Sequence, residues 1–387
     1  MNILMVHPHD IFDTAEPWTV RIVSIAREFV KTGHSVKLCY FPVLIGAKHG
    51  ASVLNGIEVI PFDRTPSPAV FIGNTRRLIG LCGWADVMHF QKCHHYSSVP
   101  ALAAAYITGK PAHYDWDDWE EKIYYESCGK NALSVLIGSS FLVLERFLPY
   151  LSDSVSCASG QLRKMAAAFG APKERVYASP VGADLSKFSP DSGAGRVKIT
   201  FSINGDMVLY IGQLHGAQYA GLFIYAAALV LRKKPDVKFI IVGEGYLEGN
   251  LRRLASDLGI AGNMIFTGSV PHDAVPRFIG EADVCVAPFD DTAVTRCKSP
   301  LKVAEYLACG KPVVASDVGE VSAMVGDAGV LVKPGDCSEL AEKILMILMD
   351  KELGERLGRL ARSRAEENYS WKHTADTLLS AYSGICG

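Results

Sequence analysis

Short apolar runs alternate with helical stretches along this sequence of 387 residues, and the whole alternation is run through twice. In the first half, residues 2–6, 35–40, 56–61, 86–90, 113–116 and 154–158 read as strands. Helices are expected over 19–31, 99–108, 133–151 and 159–169. Residues 191–204 are richer in Gly and Ser and mark a boundary. A second series follows, with strands at 207–211, 238–242, 264–267 and 284–287 and helices at 222–233, 246–258 and 274–280. Strands that alternate with helices in both halves imply two doubly wound, Rossmann-like α/β domains facing a cleft. The expected division is 1–190 and 191–368. In such sheets ligands bind beyond the carboxyl ends of the strands.

The clearest local pattern lies in residues 299–316. Ser299 is a good N-cap, Pro300 fits the first helical position, Gly310 is a natural terminator and Pro312 blocks continuation. A helix is therefore expected over 300–309, followed by an apolar strand at 313–315. Its N-terminus presents backbone N–H groups and the positive end of the dipole, a setting that favours phosphate. Glu305, about one and a half turns further along, is too far to share that phosphate. It is placed to accept hydrogen bonds from a vicinal diol such as a ribose. The alternative is a solvated Glu on a surface helix.

Composition narrows the classes. With 49% hydrophobic residues the chain can bury large cores, and its net charge of −2 gives no electrostatic case for a nucleic-acid partner. Ten cysteines without paired spacing read as reduced thiols of a cytoplasmic protein. No signal peptide is expected, because the chain opens into an apolar strand. The apolar run 132–144 contains Ser and Gly and is too short to span a bilayer; the helix over 133–151 that holds it reads as a buried core helix, with contact to a lipid-linked acceptor as the alternative. The chain reads as soluble, or at most as sitting on the inner face of a membrane.

Residues 299–316 resemble the donor-binding segment of the GT-B glycosyltransferases, specifically the large retaining family numbered 4. There two glutamates eight apart bracket a phosphate-binding turn. Here Glu305 matches the second and Cys297 stands at the first. The opening strand–helix–strand, the segment Pro180-Val181-Gly182-Ala183-Asp184 and a closing helix at 369–387 resemble the same family, whose last helix returns to the first domain. The resemblance implies a nucleotide-sugar donor, UDP- or GDP-linked, and no other cofactor. It also implies a nucleotide pocket walled by Gly243, Glu244, Gly245 and Val270 and by Ser299, Pro300 and Leu301. Two ordinary turns are the alternative for the glycine segments.

This chain departs from the family in two places. The Arg of the loop after the first strand of the second domain is Gln213, and the Lys position falls on Tyr219 or Ala220. Arg296, Lys298 and Lys302 are the nearby cations that would stabilise a leaving diphosphate instead, with solvated charge as the alternative. Cys297 replaces a carboxylate that would hold donor-sugar hydroxyls. On the acceptor side, Asp115, Trp116, Asp117 and Asp118 form the densest cluster, joined by Trp18 and His94. Aromatic faces stack on sugar rings and carboxylates take hydroxyls. Asp117 falls where the family places a His or Asp near the reacting centre. Cys93, His94 and His95 with Asp115 and Asp118 match no standard metal spacing, so no metal is expected.

The expected activity is retaining transfer of a hexose-type sugar from a nucleoside diphosphate to a glycan or lipid-linked acceptor, as in polysaccharide assembly. The departures at Gln213 and Cys297 leave a non-catalytic GT-B subunit as an alternative. A sugar-nucleotide epimerase of the same architecture is a further one.

Overall fold

The computed structural model describes residues 1–13, 16–43, 51–128, 131–215 and 219–387. The chain forms two units. One comprises Met1–Pro180, Cys297–Ser299 and Trp371–Gly387, the other Val181–Arg296 and Pro300–Ser370. The second unit thus begins before the boundary expected at 191. Ala183 N–H donates to Tyr369 O at 2.8 Å, and Arg362 Nη1 donates to Phe188 O at 2.9 Å. These bonds tie the segment to the second unit.

The first unit opens with β1 (Asn2–Val6), α1 (Pro17–Lys31), β2 (Ser35–Tyr40), β3 (Ser52–Leu54) and β4 (Ile57–Pro61). Next come α2 (Pro68–Cys82), β5 (Val87–Gln91), α3 (His95–Thr108), β6 (Ala112–Trp116) and α4 (Glu120–Ser127). The series ends with α5 (Ala132–Leu151), β7 (Ser154–Cys157), α6 (Gly160–Ala168) and β8 (Val176–Ala178). Its eight-stranded sheet runs β3-β4-β2-β1-β5-β6-β7-β8, parallel except at β3. Helices cover both faces, so β5, β6 and β7 are buried at every position.

The second unit contains α7 (Arg196–Thr200), β9 (Met207–Ile211), α8 (Ala220–Leu231), β10 (Lys238–Val242) and α9 (Glu248–Asp257). It continues with β11 (Met264–Phe266), α10 (Val275–Glu281), β12 (Val284–Ala287), α11 (Ala293–Cys297) and α12 (Leu301–Ala308). It closes with β13 (Val313–Ser316), α13 (Gly319–Val325), β14 (Gly329–Val332), α14 (Cys337–Met349) and α15 (Lys351–Asn368). The sheet is wholly parallel in the order β11-β10-β9-β12-β13-β14. The final helix, α16 (Trp371–Cys386), belongs to the first unit and packs on α1.

In each sheet the order reverses beside the first strand, between β1 and β5 and between β9 and β12. Connections leave such neighbours in opposite directions, and a crevice opens beyond their carboxyl ends.

Two expectations need correction. Helix α12 starts at Leu301, not Pro300: a ψ of 121° keeps Pro300 extended, and it occupies the cap position itself. Ser299 is then outside the helix, one residue before the cap. Helix α5 buries only one side, through Phe141, Glu145 and Leu148, while Leu136, Leu142, Val143, Phe147 and Tyr150 are exposed. It is not a core helix.

The first unit is pinned by a buried ion pair between layers. Arg21 on α1 donates from Nε and Nη2 to the two oxygens of Asp115 on β6, at 2.9 and 2.8 Å. Arg21 also donates to Ser179 Oγ and Pro180 O, and Ser156 Oγ donates to Asp115 at 2.6 Å. Burial alone would raise the Asp115 carboxyl. The charge and hydrogen bonds of Arg21 override it and hold the group below the usual carboxylate range. Breaking such a pair strands a buried charge, at about 3–5 kcal/mol. Arg21→Leu is accordingly expected to lower the unfolding free energy in urea by that amount, and a loss under about 1 kcal/mol would contradict the assignment.

Candidate functional site

Beyond the ends of β1, β5 and β6 the first unit gathers charge around Lys92. This residue follows β5 directly and takes a left-handed backbone, φ 62°, which costs a non-glycine residue roughly 1–2 kcal/mol. Its side chain is buried. Nζ lies 3.2 Å from Asp117 Oδ1 and 3.4 Å from Asp118 Oδ2, donates to Glu120 Oε1, and sits 4.7 Å from the centre of the Trp18 ring. The nearest oxygens of Asp117, Asp118 and Glu120 lie within 4.8 Å of one another, a spacing that suits a cation. The Lys92 ammonium is the cation this set holds.

Asp117 is fixed by a chain of buried polar groups. Gln91 Nε2 donates to Asp117 Oδ2 at 2.9 Å and to Trp18 O at 3.2 Å, so its Oε1 is turned to His7 Nδ1 at 2.7 Å. Burial pushes the His7 pKa down to about 3 and keeps the ring neutral. Because Gln91 Oε1 only accepts, the His7 proton sits on Nδ1. Asp117 Oδ1 accepts no hydrogen bond, although it lies within ion-pair distance of Lys92. Burial raises the Asp117 carboxyl to about 7, against the pull of Lys92.

Glu145 supports the same corner from α5. It accepts from the N–H of Glu120 at 2.7 Å and of Glu121 at 3.2 Å, the first residues of α4. Burial raises its pKa to about 8. Lys298 also falls in this unit. Burial lowers its pKa, while Asp118, Glu126 and Glu120 act in the other direction. Trp18 and His94 stand beside the cluster, with ring centres 5.9 Å apart and nearly parallel. Trp18 Nε1 donates to Glu16.

Two residues expected here are elsewhere. Asp115 is consumed by Arg21. Trp116 is fully buried, with Nε1 donating to Glu145 at 3.3 Å. Both precede the strand end, where every side chain enters a covered face. Asp117 and Asp118 follow it.

In the second unit, the turns after β9 and β10 touch. Gly243 N–H donates to Gly268 O at 2.9 Å, and a Cβ on Gly243 would fall 2.1 Å from Gly212 O. Only glycine permits that approach. Gly245 is similarly tight against Leu214 O, while Glu244 is exposed and Val270 half-buried. Helix α12 is locked to the end of β9: Ile211 N–H donates to Tyr306 Oη at 2.9 Å, and Lys302 Nζ lies 4.2 Å from the centre of the Tyr210 ring. That ammonium also lies 2.8 Å from where a Gly212 Cβ would stand. Lys302 thus places its charge on the loop after β9, where Gln213 stands.

Glu305 is buried, and one oxygen meets His272 Nε2 at 2.6 Å. Burial lowers the His272 pKa, but the hydrogen bond and charge of Glu305 outweigh it and raise the group above its ordinary value. Phe188 packs on the His272 ring, 5.4 Å between centres. Glu305 is therefore an oriented carboxylate and not a solvated one.

Two further expectations fail. Arg296 is exposed and paired with Asp291 at 2.6 and 2.7 Å, so its charge is directed to that carboxylate. Cys297 is buried in the first unit's hydrophobic cluster, where burial pushes the thiol up to about 12. It packs as a small apolar residue and offers nothing to a sugar. Leu301 opens α12, and Ser299 and Pro300 precede it. Lys92, Gln91, His7, Glu145 and His272 were not singled out from the sequence. For Lys92 the available signal was its place directly after a buried strand at a reversal of strand order.

Architecture and paired crevices define the GT-B class. A glycosyltransferase from Rickettsia africae covers 99% of this chain with a TM-score of 0.74 at 15% identity. Anabaena Alr3699/HepE, solved with UDP, covers 100% at 0.74 and 18% identity. These likenesses establish the fold. Residues 205–350, nearly all of them in the second unit, match the family Glycosyl transferases group 1. Among curated proteins, D-inositol 3-phosphate glycosyltransferase of Nocardia farcinica is 29% identical over 240 residues, covering 59% of this chain and 52% of its own length. A GDP-mannose-dependent alpha-(1-6)-phosphatidylinositol monomannoside mannosyltransferase of Mycolicibacterium smegmatis is 31% identical over 242 residues, covering 60% and 63%. The chain spans about half the length of the first of these and under two thirds of the second.

Lys92 and Asp117 should respond unequally to substitution. Lys92→Met leaves three carboxylates without their ammonium and is expected to cost about 3–5 kcal/mol. Asp117→Asn keeps an acceptor for Gln91 and removes a buried charge, so above pH about 7 it should cost under about 1 kcal/mol. Urea unfolding of the two variants at mildly alkaline pH checks this, and equal losses would contradict it.

Proposed function

We propose that this protein is a retaining glycosyltransferase of the kind grouped in family 4. It moves a hexose-type sugar from a nucleoside diphosphate, UDP- or GDP-linked, to a glycan or lipid-linked acceptor. The observation that carries the reading is the site at the β9–β12 reversal. There Glu305 is oriented by His272, the charge of Lys302 lies on the loop after β9, and two glycine turns make room. A diphosphate fits at the start of α12, where helical N–H groups and the dipole favour anions, with its ribose on the outer oxygen of Glu305.

As the sugar leaves, negative charge grows on the diphosphate, and the helix start with Lys302 stabilises it. This takes the place of the arginine that the resemblance expects at Gln213, and no metal or further cofactor is required. Asp117 offers Oδ1 to the acceptor hydroxyl, with Asp118, His94 and Trp18 beside it. The Mycolicibacterium relative is named for GDP-mannose and a phosphatidylinositol-linked acceptor, which favours a lipid-linked acceptor here. The enzyme works in the cytoplasm in polysaccharide or glycolipid assembly, with no nucleic-acid partner.

Calorimetry with UDP, GDP and ADP in EDTA should find one nucleotide that binds. Glu305→Gln and Lys302→Met should each weaken it at least about tenfold, the value of one charged hydrogen bond. Unchanged affinity in both variants would remove the proposed donor site.

The rate should also depend on Asp117. With the carboxyl raised to about 7 by burial, the ionised form prevails only above that value. The value of kcat/KM should therefore fall as the pH drops below about 7. Asp117→Asn should remove that limb together with most of the activity, and an unaltered profile in the variant would assign the limb elsewhere.

A further inference from the structure

We infer that the helical layer α2-α3-α5-α6 of the first unit is a docking surface for an anionic lipid bilayer, with α5 lying in the interface. These helices contribute to one hydrophobic cluster over the same sheet, α3 packing on α2 and α5, and α5 on α6. They therefore present their outer sides together.

Helix α5 has two unlike faces. The inner one carries Phe141, Leu148 and the carboxylate of Glu145, which supports the start of α4. The outer one carries Val135, Leu136, Leu142, Val143, Phe147 and Tyr150, and Leu136 and Tyr150 are 69% and 63% exposed. Their spacing of one, seven, eight, twelve and fifteen residues from Val135 follows two adjacent rows along the helix. Tyr106 and Ile107 on α3 and Ile72 on α2 are exposed as well. Leaving an apolar helix face in water is unfavourable and marks an interaction site.

Charge decides what covers it. The only acidic side chain in the four helices is Glu145, and it is buried. Every exposed charge on them is basic: Arg76 and Arg77 on α2, Arg146 in the middle of the apolar rows, and Arg163 and Lys164 on α6. A second copy of this chain would bring like charge against like. An interfacial helix instead buries its apolar side among acyl chains and keeps its cations at anionic headgroups. Arg146, whose guanidinium lies 4.5 Å from the centre of the Phe169 ring, has a long stem suited to that depth. Docking here would hold the carboxylate site, joined to α5 through Glu145, near a lipid-borne acceptor.

Flotation of the full-length protein with vesicles tests this without any nucleotide sugar, so its outcome does not depend on the transferase reading. Partition into vesicles containing phosphatidylglycerol should exceed that into phosphatidylcholine alone by at least about tenfold and should weaken with salt. Leu142→Glu with Phe147→Glu should lower it roughly tenfold or more. Arg163→Glu with Lys164→Glu should lower only the component that depends on anionic lipid. All four side chains are exposed, so circular dichroism and the thermal midpoint should match the parent. Absence of binding to either vesicle, or a dimer in light scattering that Leu142→Glu with Phe147→Glu dissociates, would overturn the assignment.

Discussion

A parallel sheet must reverse its strand order somewhere, and this constraint organises the molecule. Neighbouring strands at the reversal send their chains to opposite faces, so nothing covers the ends between them. At the β1–β5 reversal the loops and the starts of α1 and α4 supply Lys92, Asp117, Asp118, Glu120, His94 and Trp18. At the β9–β12 reversal they supply the glycine turns, Lys302 and, through α12, Glu305. Both sites follow from topology before side-chain chemistry is considered.

The energetics of the two points differ. In the first unit the site is costly to build. Three carboxylates and an ammonium lose water, Lys92 adopts a left-handed backbone, and His7 and Gln91 are buried to hold one oxygen of Asp117. Such an expense persists where the rest of the fold dictates it, and the Arg21–Asp115 pair beneath the cluster helps fix the strand that ends there. In the second unit the site is cheaper. Its polar contacts include a tyrosine hydroxyl on a strand end and a histidine on Glu305, and its shape comes from glycines that let two turns meet.

Much of the fold was legible because parallel strands buried on both faces are short apolar runs, and helices between them have clear ends. Strand β3 carries no periodic signal, being three residues at an antiparallel edge of which two are exposed, and α2 has none because its apolar residues are spread around the helix. The site was less legible. The string from His113 to Glu120 looks uniformly suited to a sugar, yet the strand ends at Trp116. Asp115 and Trp116 point into covered layers, whereas Asp117 lies just beyond. A shift of one or two residues in an element boundary decides such an assignment, and composition does not resolve it. An isolated lysine such as Lys92 carries no motif, and the charge of Arg296 is neutralised by Asp291, five residues earlier.

The central claim is that a nucleotide binds beyond β9 and β12 along α12. A crystal structure of the protein with the nucleoside diphosphate it prefers tests this directly. The account predicts the diphosphate at the start of α12, near Lys302, and both ribose hydroxyls within hydrogen-bond distance of Glu305. A nucleotide seated elsewhere, or a ribose that leaves Glu305 bound only to His272, would contradict it.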